Sequence, residues 1–280
     1  MVNTIRPKKP LGQHFLTEPS YCKRIVHFAA VTSNDSVIEI GPGTGNLTQQ
    51  LLKRANQVLG IEIDPEMVDF LQTKFAEDSR LKLIKADVLN QNWSEILERF
   101  LPAQYMVAGG KPCIPVKVIG NLPYNISTRI IKEMTGIEYR FQSYTFMTQK
   151  EVAERILAGP GSKDYGFLSL IVDFHFDRRE GFDVPPGAFR PMPKVDSHVF
   201  QLTPRTSTFP DVNYELFLKI ISSGFRHRRK TLWNNLTRTV SDKAVLLAAF
   251  DESGIPRKAR AEDVNLEQYL CMTRVLCLPA

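Results

Sequence analysis

Short apolar runs alternate with helical patterns along the first 150 residues of the chain. The runs are rich in Val, Ile and Leu and are bounded by polar or turn-forming residues, as is typical of buried strands. Five strands are predicted, over residues 37–40, 58–63, 81–86, 116–119 and 144–147. Strands that alternate with helices form βαβ units, and their right-handed crossovers place helices on both faces of a parallel sheet. Because ligands of such sheets bind beyond the carboxyl ends of the strands, we expect the functional residues there.

The segments that follow the first two predicted strands have helical signatures. Leu47, Leu51 and Leu52 recur at helical spacing after the first strand. After the second strand, Asp64 is suited to cap a helix that has Pro65 at its first position, where the missing N–H of proline costs no hydrogen bond. These patterns predict one helix in each of the first two crossovers.

The second half of the chain is organised differently. Two longer apolar runs, residues 168–176 and 198–202, have no convincing helix between them, so they are predicted to pair antiparallel at a sheet edge. The segment after Pro204 has the composition of a linker, and the patterns beyond it are helical. We therefore predict an α/β domain over residues 1–205 and a small helical domain over residues 206–280.

Composition narrows the class of protein. Hydrophobic residues make up 43% and charged residues 24% of the 280 residues, which is ordinary for a globular protein. The net charge of +6 favours a polyanionic partner. The four cysteines form no CxxC pair and have no histidine at zinc-finger spacing, so neither a metal site nor a disulfide framework is expected. No apolar run approaches the roughly 18 residues of a membrane helix, and we expect a cytoplasmic protein without a membrane partner.

A glycine-rich turn follows the first predicted strand. Its sequence, EIGPGTGN over residues 39–46, leaves a strand and enters a helix. Glycines permit a left-handed backbone and let a ligand approach the chain closely. The spacing is GxGxG rather than the GxGxxG of dinucleotide sites, which makes a nicotinamide cofactor the weaker choice. A purely structural turn is the alternative.

Carboxylates stand at the ends of the next two predicted strands. Glu62 falls 21 residues after Gly41, where an acid can accept hydrogen bonds from a ribose diol. Asp87, just past the third strand, is suited to accept from the amino group of an adenine. A single carboxylate at a strand end is usually only solvated. Glu62 and Asp87 indicate a ligand site because both follow strands in series with the glycine loop.

The predicted fourth strand is followed by the sequence GNLPYN, residues 120–125. The side-chain oxygen of Asn121 and the carbonyl of Leu122 could each accept one hydrogen of an exocyclic amine, which draws the nitrogen lone pair towards an electrophile. Tyr124 could stack on the face of the same base. The alternative is an ordinary Asn/Pro turn with a core tyrosine.

Eight segments stand out as specific motifs: LGQHFL (11–16), EIGPGTGNLT (39–48), GIEID (60–64), ADVL (86–89), GNLPYNIST (120–128), MTQKEVAERI (147–156), FRPMPKVDS (189–197) and FRHRRKTLWNNL (225–236). Through these motifs the chain resembles, nearly from end to end, the KsgA/RsmA family of bacterial small-subunit rRNA adenine N6,N6-dimethyltransferases.

The resemblance implies a Rossmann-like class I methyltransferase sheet with a small C-terminal helical domain, and S-adenosyl-L-methionine as the cofactor. Cofactor contacts are implied at His14, Leu16, Gly41, Glu62, Asp87 and Asn121. The catalytic pocket is implied to contain Asn121, Leu122, Pro123, Tyr124 and, as a second aromatic wall for the adenine, Phe189. His14 stands where many members have asparagine. The stretch of residues 102–115, longer than is typical of the family, is interpreted as a surface loop.

The implied reaction is dimethylation of N6 on two adjacent adenines in the 3′-terminal hairpin of 16S rRNA, within the 30S subunit or its precursor, by a monomeric enzyme. Two alternatives remain: a 23S rRNA adenine N6-methyltransferase, and a non-catalytic ribosome-assembly factor on the same fold. The segments 189–197 and 260–270 favour the small-subunit branch over the first alternative. The intact GPGTG and NLPY motifs argue against the second.

A basic run opens the predicted C-terminal domain. Within thirteen residues that contain no Asp or Glu lie Arg226, Arg228, Arg229, Lys230 and Arg238. A run of this kind is often only a solvated face. Because the implied substrate is a polyphosphate, we predict that these five residues bind RNA.

Overall fold

The computed structural model of the chain describes residues 8, 11–100, 113–137, 140–206 and 209–277. The chain forms two compact units. Unit 1 comprises Met1–Ala153 and Arg178–Pro204, and unit 2 comprises Glu154–Asp177 and Arg205–Ala280. The predicted boundary between residues 205 and 206 lies within one residue of the point where the chain enters unit 2 for the second time. Within the described part of the chain, no helix is long and apolar enough to cross a membrane.

Unit 1 is built on a sheet with flanking helices. Its strands are β1 (Phe15–Leu16), β2 (Ser36–Ile40), β3 (Gln57–Glu62), β4 (Leu81–Lys85), β5 (Cys113–Asn121), β6 (Arg140–Gln149), β7 (Phe176–Val184), β8 (Phe189–Arg190) and β9 (Ser197–Pro204). Its helices are α1 (Pro19–Phe28), α2 (Asn46–Leu52), α3 (Pro65–Lys74), α4 (Trp93–Phe100), α5 (Ser127–Gly136) and α6 (Lys150–Leu157), of which the last continues into unit 2.

The main sheet has seven strands in the order β4-β3-β2-β5-β6-β9-β7. The pairs among β2 to β6 are parallel, and β9 is antiparallel to β6. All five predicted strands and the parallel sheet are confirmed. The chain runs outwards from β2 through β3 to β4, then returns to the other side of β2 as β5, so the order of the strands reverses between β2 and β5. A ligand cleft is expected at such a reversal, beyond the carboxyl ends of the strands.

The two helices predicted in the first crossovers are confirmed as α2 and α3. Asp64 caps α3 by accepting a hydrogen bond from the Glu66 N–H at 3.1 Å, and Pro65 occupies the first helical position. Met67 and Leu71 are buried on the inner face of this helix. The predicted loop over residues 102–115 lies outside the described residues except for 113–115, which begin β5.

The prediction of a strand over residues 168–176 is wrong. These residues form helix α7 (Phe167–His175), and the edge strand beside β9 is β7, which starts at Phe176. A continuous apolar run is compatible with a buried helix or a buried strand. Ser169 decides for the helix, because its hydroxyl accepts from the Gly166 N–H at 3.0 Å and so caps the first turn. The predicted strand over residues 198–202 is confirmed within β9.

Unit 2 is helical around its own core. Besides α7 it contains α8 (Tyr214–Gly224), α9 (Leu232–Leu236), α10 (Lys243–Glu252) and α11 (Leu266–Cys277), as the helical patterns predict. Leu170 and Ile171 of α7 are buried in one apolar cluster with Phe217, Phe250 and Leu270 of three of these helices. Burial of α7 in this cluster explains why most of its residues are apolar.

Candidate active site

A cleft lies at the carboxyl ends of β2, β3 and β5. Its walls are the glycine loop, the ends of the strands and the N-terminal residues 11–16. Nine of the ten residues predicted for the cofactor and catalytic sites line it: His14, Leu16, Gly41, Glu62, Asp87, Asn121, Leu122, Pro123 and Tyr124.

The glycine loop turns tightly because its backbone is left-handed. Gly43 has φ +53° and Gly45 has φ +74°, a region that side chains of L-residues rarely adopt. A Cβ atom at Gly43 would lie 2.8 Å from the ring of Phe15, and one at Gly45 would lie 2.6 Å from Leu71. Both glycines are therefore required by the turn and by the packing around it.

Glu62 is buried between this loop and the start of α3. Its Oε2 accepts from the Gly43 N–H at 3.1 Å, and its Oε1 accepts from the Asp64 N–H at 3.0 Å. Burial raises the pKa of Glu62, and the two backbone hydrogen bonds offset part of that rise. Each carboxylate oxygen retains a second lone pair, so the group can accept from a pair of hydroxyls.

Asp87 lies past the end of β4, where it caps a 3₁₀ turn over Val88–Asn90. Its Oδ1 accepts from the Leu89 N–H at 3.0 Å, and its Oδ2 accepts from the Asn90 side chain at 2.9 Å. These two bonds fix the orientation of the carboxylate at the cleft wall.

The side-chain nitrogen of Asn121 has a hydrogen-bond partner, and its side-chain oxygen has none among the described residues. Its Nδ2 donates to the His14 carbonyl at 2.9 Å, which fixes the orientation of the amide. Its Oδ1 is buried and has no hydrogen-bond partner among the residues that the structure describes. An unpaired buried oxygen costs free energy, about 1–3 kcal/mol, unless a ligand supplies the missing donor. The cleft therefore holds a fixed acceptor that matches an amine or another N–H donor.

Tyr124 lines the cleft together with Asn121, and both its hydroxyl and its ring have partners. Its hydroxyl is 2.6 Å from the Ser197 hydroxyl, and its ring stacks on His14 with centroids 5.2 Å apart and an interplanar angle of 23°. The His14 ring is itself anchored by a 2.8 Å contact between Nδ1 and the Pro191 carbonyl. Burial raises the pKa of the Tyr124 phenol, so the ring is neutral at physiological pH.

Phe189 does not line the cleft. It is fully buried, and it pairs with Leu16 in the two-stranded antiparallel sheet of β1 and β8. The proline-rich segment before it makes a 3₁₀ turn over Pro186–Ala188 and directs the ring into the core of unit 1. In this structure Phe189 supports the cleft through Leu16 rather than forming its wall.

Several polar residues of the site were not predicted as functional. Glu39 lines the cleft floor and is fully buried, and its Oε2 accepts from the Thr48 hydroxyl at 2.6 Å. Burial, together with the negative charge of Glu62, raises the pKa of Glu39 to about 8. The signal available in the sequence was an acid placed between Ile38 and Ile40 in a buried strand.

Side-chain hydrogen bonds tether the N-terminal residues 11–16 to the walls of the cleft. The Asn46 side chain donates to the Leu16 carbonyl at 2.8 Å, and Asn121 donates to the His14 carbonyl. Gln13 donates to Asp64 at 3.0 Å. The Asp64 carboxylate is thus both the cap of α3 and an anchor for this segment.

In unit 2 the five predicted RNA-binding residues are all exposed, but Arg228 has a structural role. Its guanidinium pairs with Glu262 at 2.8 Å and donates to the carbonyls of Lys163 and Tyr165. The other four residues, by contrast, form no salt bridge with any described residue. These four are Arg226, Arg229, Lys230 and Arg238.

The chain is similar to known proteins along almost its whole length. The family model of ribosomal RNA adenine dimethylase matches residues 4–277. A protein of Clostridium perfringens called ribosomal RNA small subunit methyltransferase A is 40% identical, over 94% of this chain and 88% of its own length. A protein of the same name from Latilactobacillus sakei is 37% identical over 94% of this chain and 87% of its own.

Two solved structures have the same architecture. A dimethyladenosine transferase from Plasmodium falciparum superposes with a TM-score of 0.73 at 25% identity, covering 92% of this chain and 96% of its own. The 23S rRNA methyltransferase ErmE superposes with a TM-score of 0.67 at 26% identity, covering 94% and 99%.

The fold defines a Rossmann-like class I methyltransferase, and its cleft is lined by the glycine loop, Glu62, Asp87 and Asn121. Within that class, the chain belongs to the ribosomal RNA adenine dimethylase family.

Proposed function

We propose that this enzyme dimethylates N6 of two adjacent adenines in the 3′-terminal hairpin of 16S rRNA during assembly of the 30S subunit. The supporting observations are the family match over residues 4–277 and relatives whose name refers to the small subunit. The observation that carries the chemistry is the buried, unpaired Oδ1 of Asn121. The proposed enzyme is a cytoplasmic monomer that uses S-adenosyl-L-methionine as methyl donor.

The donor and acceptor groups of the cleft fit that cofactor. Glu62 offers free carboxylate lone pairs to a ribose diol, Asp87 offers an acceptor for the adenine amino group, and the glycine loop permits close approach to the backbone. His14 and Leu16 close the cleft from the N-terminal side. The bound cofactor would supply an electrophilic methyl group on a sulfonium centre.

The chain's own residues position the nucleophile. Asn121 Oδ1 and the Leu122 carbonyl accept the two hydrogens of the target amine, which localises its lone pair on nitrogen and aims it into the cleft. Tyr124 holds the base plane by stacking, and Pro123 restricts the turn between these groups. An amide cannot act as a general base near neutral pH, so the proton leaves to water after transfer. Orientation of this kind can lower the activation free energy of a bimolecular reaction by about 7–11 kcal/mol.

Substitution of Asn121 tests this arrangement. We expect Asn121→Ala to lower the rate of methyl transfer by about 10²- to 10³-fold, because a preorganised partner of the reacting group is lost. The dissociation constant for the cofactor, measured by calorimetry, should rise only modestly, because the N-terminal segment loses its hydrogen bond to Asn121 but keeps those to Asn46 and Asp64. Asn34→Ala, an exposed asparagine of unit 1 outside the cleft, is the matched control. An Asn121→Ala enzyme with wild-type turnover would refute the assignment.

A further inference from the structure

Two arginines on the surface of unit 1 are stacked on phenylalanine rings. The guanidinium of Arg24 lies 3.8 Å from the ring centroid of Phe182, and that of Arg179 lies 4.5 Å from the ring centroid of Phe28. The two rings contact each other edge to face, with centroids 6.0 Å apart and an interplanar angle of 86°. We call these four residues of α1 and β7 the stacked-arginine surface.

The surface is built by close packing between α1 and β7. Arg24 and Phe28 are four residues apart, so they lie on the same face of the helix. Gly181 lets the ring of Phe28 lie against the strand, because a Cβ atom at Gly181 would be 3.1 Å from that ring and 2.3 Å from the Val199 carbonyl oxygen. The positions of both guanidinium groups are therefore determined by the packing of the fold.

The hydrogen-bond donors of these two arginines are available to a ligand. Both residues are exposed, and neither forms a salt bridge with a carboxylate in the described part of the chain. Stacking covers one face of a guanidinium and leaves the N–H groups at its edge free. Helix α1 also presents an exposed Lys23 and contains no acidic residue over Pro19–Phe28. The result is a pair of planar cations stacked on aromatic rings, beside Lys23 of α1. Strand β7 also carries three exposed acids, Asp177, Glu180 and Asp183.

Both elements of this surface lead to the mouth of the cleft. Helix α1 begins three residues after Leu16, and β7 ends shortly before the 3₁₀ turn that precedes Phe189. These two ends are joined, because Leu16 pairs with Phe189 and the Thr17 N–H donates to the Ala188 carbonyl at 2.8 Å. Leu16 lines the cleft, so the near ends of α1 and β7 adjoin its rim, and the stacked-arginine surface lies further along both elements.

We propose that the stacked-arginine surface binds backbone phosphates of the rRNA substrate outside the cleft. The proposal rests on the proposed function, which makes RNA the substrate of the cleft. A planar guanidinium donates two parallel hydrogen bonds to a phosphate, and a prepositioned one loses less side-chain freedom on binding. Contacts of this kind to the phosphate backbone supply affinity without reading sequence.

The test is the salt dependence of binding to 30S particles. Arg24→Gln combined with Arg179→Gln should weaken binding by about 10-fold near 0.1 M salt, and it should reduce the slope of log K against log salt by about one to two. Arg54→Gln combined with Arg99→Gln removes the same charge from two exposed arginines, just after α2 and near the end of α4, that are not stacked on an aromatic ring in the described part of the chain. This control pair should leave the slope within experimental error of the wild type.

A second pair of variants separates phosphate binding from folding. Arg24→Lys with Arg179→Lys keeps the charge and removes the planar fork, so it should bind 30S particles with intermediate affinity and with the wild-type slope. Cofactor affinity and thermal unfolding should be unchanged in every variant. The proposal is overturned if both the Gln pair and the Lys pair bind like the Arg54/Arg99 control.

The same experiment distinguishes this proposal from the proposed function. Wild-type protein that methylates 30S particles, while the Gln pair keeps wild-type affinity and slope, overturns only the stacked-arginine surface. Wild-type protein that neither binds nor methylates 30S particles overturns the proposed function, and the surface proposal with it.

Discussion

Glu62 is held in place by two backbone N–H groups, one from the glycine loop and one from the start of α3. We expect Glu62→Ala to raise the cofactor dissociation constant by about 10- to 150-fold, because charge-assisted hydrogen bonds worth about 1.5–3 kcal/mol are lost. Calorimetric titration with the cofactor measures this directly. Glu66→Ala, which removes an exposed acid four residues away, is the control. A dissociation constant within twofold of the wild type would rule out the ribose role.

Glu39 makes stability depend on pH. Its pKa is raised from the ordinary 4.5 to about 8 by burial and by the charge of Glu62, so the native state holds this proton more tightly than the unfolded chain does. The free energy of unfolding should therefore fall as pH rises from about 4.5 to about 8, with a maximum slope of about 1.4 kcal/mol per pH unit.

Glu39→Gln removes that titration and keeps an acceptor for the Thr48 hydroxyl. We expect its stability to decline less than that of the wild type between pH 5 and pH 8.5 in urea unfolding without cofactor. Parallel stability curves for the two proteins over that range would contradict the assigned pKa.

At the scale of elements, the parallel half of the sheet was predictable because its strands are buried on both faces. Residues 58–61, for example, are all buried within β3, and such strands are visible as continuous apolar runs. Strand β7 was missed because it is at the sheet edge. Its sequence, FDRREGFDV, is dominated by charged residues that face solvent, and only Phe176, Phe182 and Val184 are buried.

In the basic segment of unit 2, the sequence does not distinguish an arginine with a structural role from one that is available to bind RNA. All five residues predicted to bind RNA are exposed. Arg228, however, forms a salt bridge with Glu262 and donates hydrogen bonds to two backbone carbonyls. Charge reversal at Arg228 would therefore test folding rather than RNA binding. Its role depends on contacts more than 30 residues away in sequence, which no local pattern indicates.

Arg229 and Lys230 provide the cleaner test. We predict that Arg229→Gln with Lys230→Gln weakens binding to 30S particles and lowers the salt slope by about one to two, because each phosphate contact contributes close to one. Cofactor affinity should be unchanged, since the cofactor cleft belongs to unit 1. Lys219→Gln, an exposed lysine of α8, is the control. Equal salt slopes for the double variant and wild type would show that these residues do not contact phosphate.

At the scale of the whole molecule, the location of the cleft could be predicted from the sequence, but the contacts around its N-terminal wall could not. Glu62, Asp87 and Asn121 follow successive strands of a parallel sheet, so their convergence on one edge follows from the fold class alone. The stacking of His14 on Tyr124 and the withdrawal of Phe189 into the core depend on the β1–β8 pairing. That pairing joins segments more than 170 residues apart and involves only two residues from each.

The division of the chain into two units could be predicted only in part from the sequence. The helical pattern after residue 205 indicates a separate C-terminal part, and the structure groups residues 154–177 with it. Leu170 and Ile171 belong to the apolar core of unit 2, so α7 is assigned by packing that the linear sequence does not reveal.

The central claim is that this enzyme dimethylates adenine N6 in small-subunit rRNA. The most direct test incubates the wild-type protein and S-adenosyl-L-methionine with 30S particles that lack adenine dimethylation, and separately with naked 23S rRNA, followed by mass spectrometry of mapped RNA fragments. We predict N6,N6-dimethyladenosine at two adjacent adenines of the 3′-terminal hairpin of 16S rRNA and none in 23S rRNA. Dimethyladenosine in 23S rRNA alone, or in neither RNA, would contradict the account.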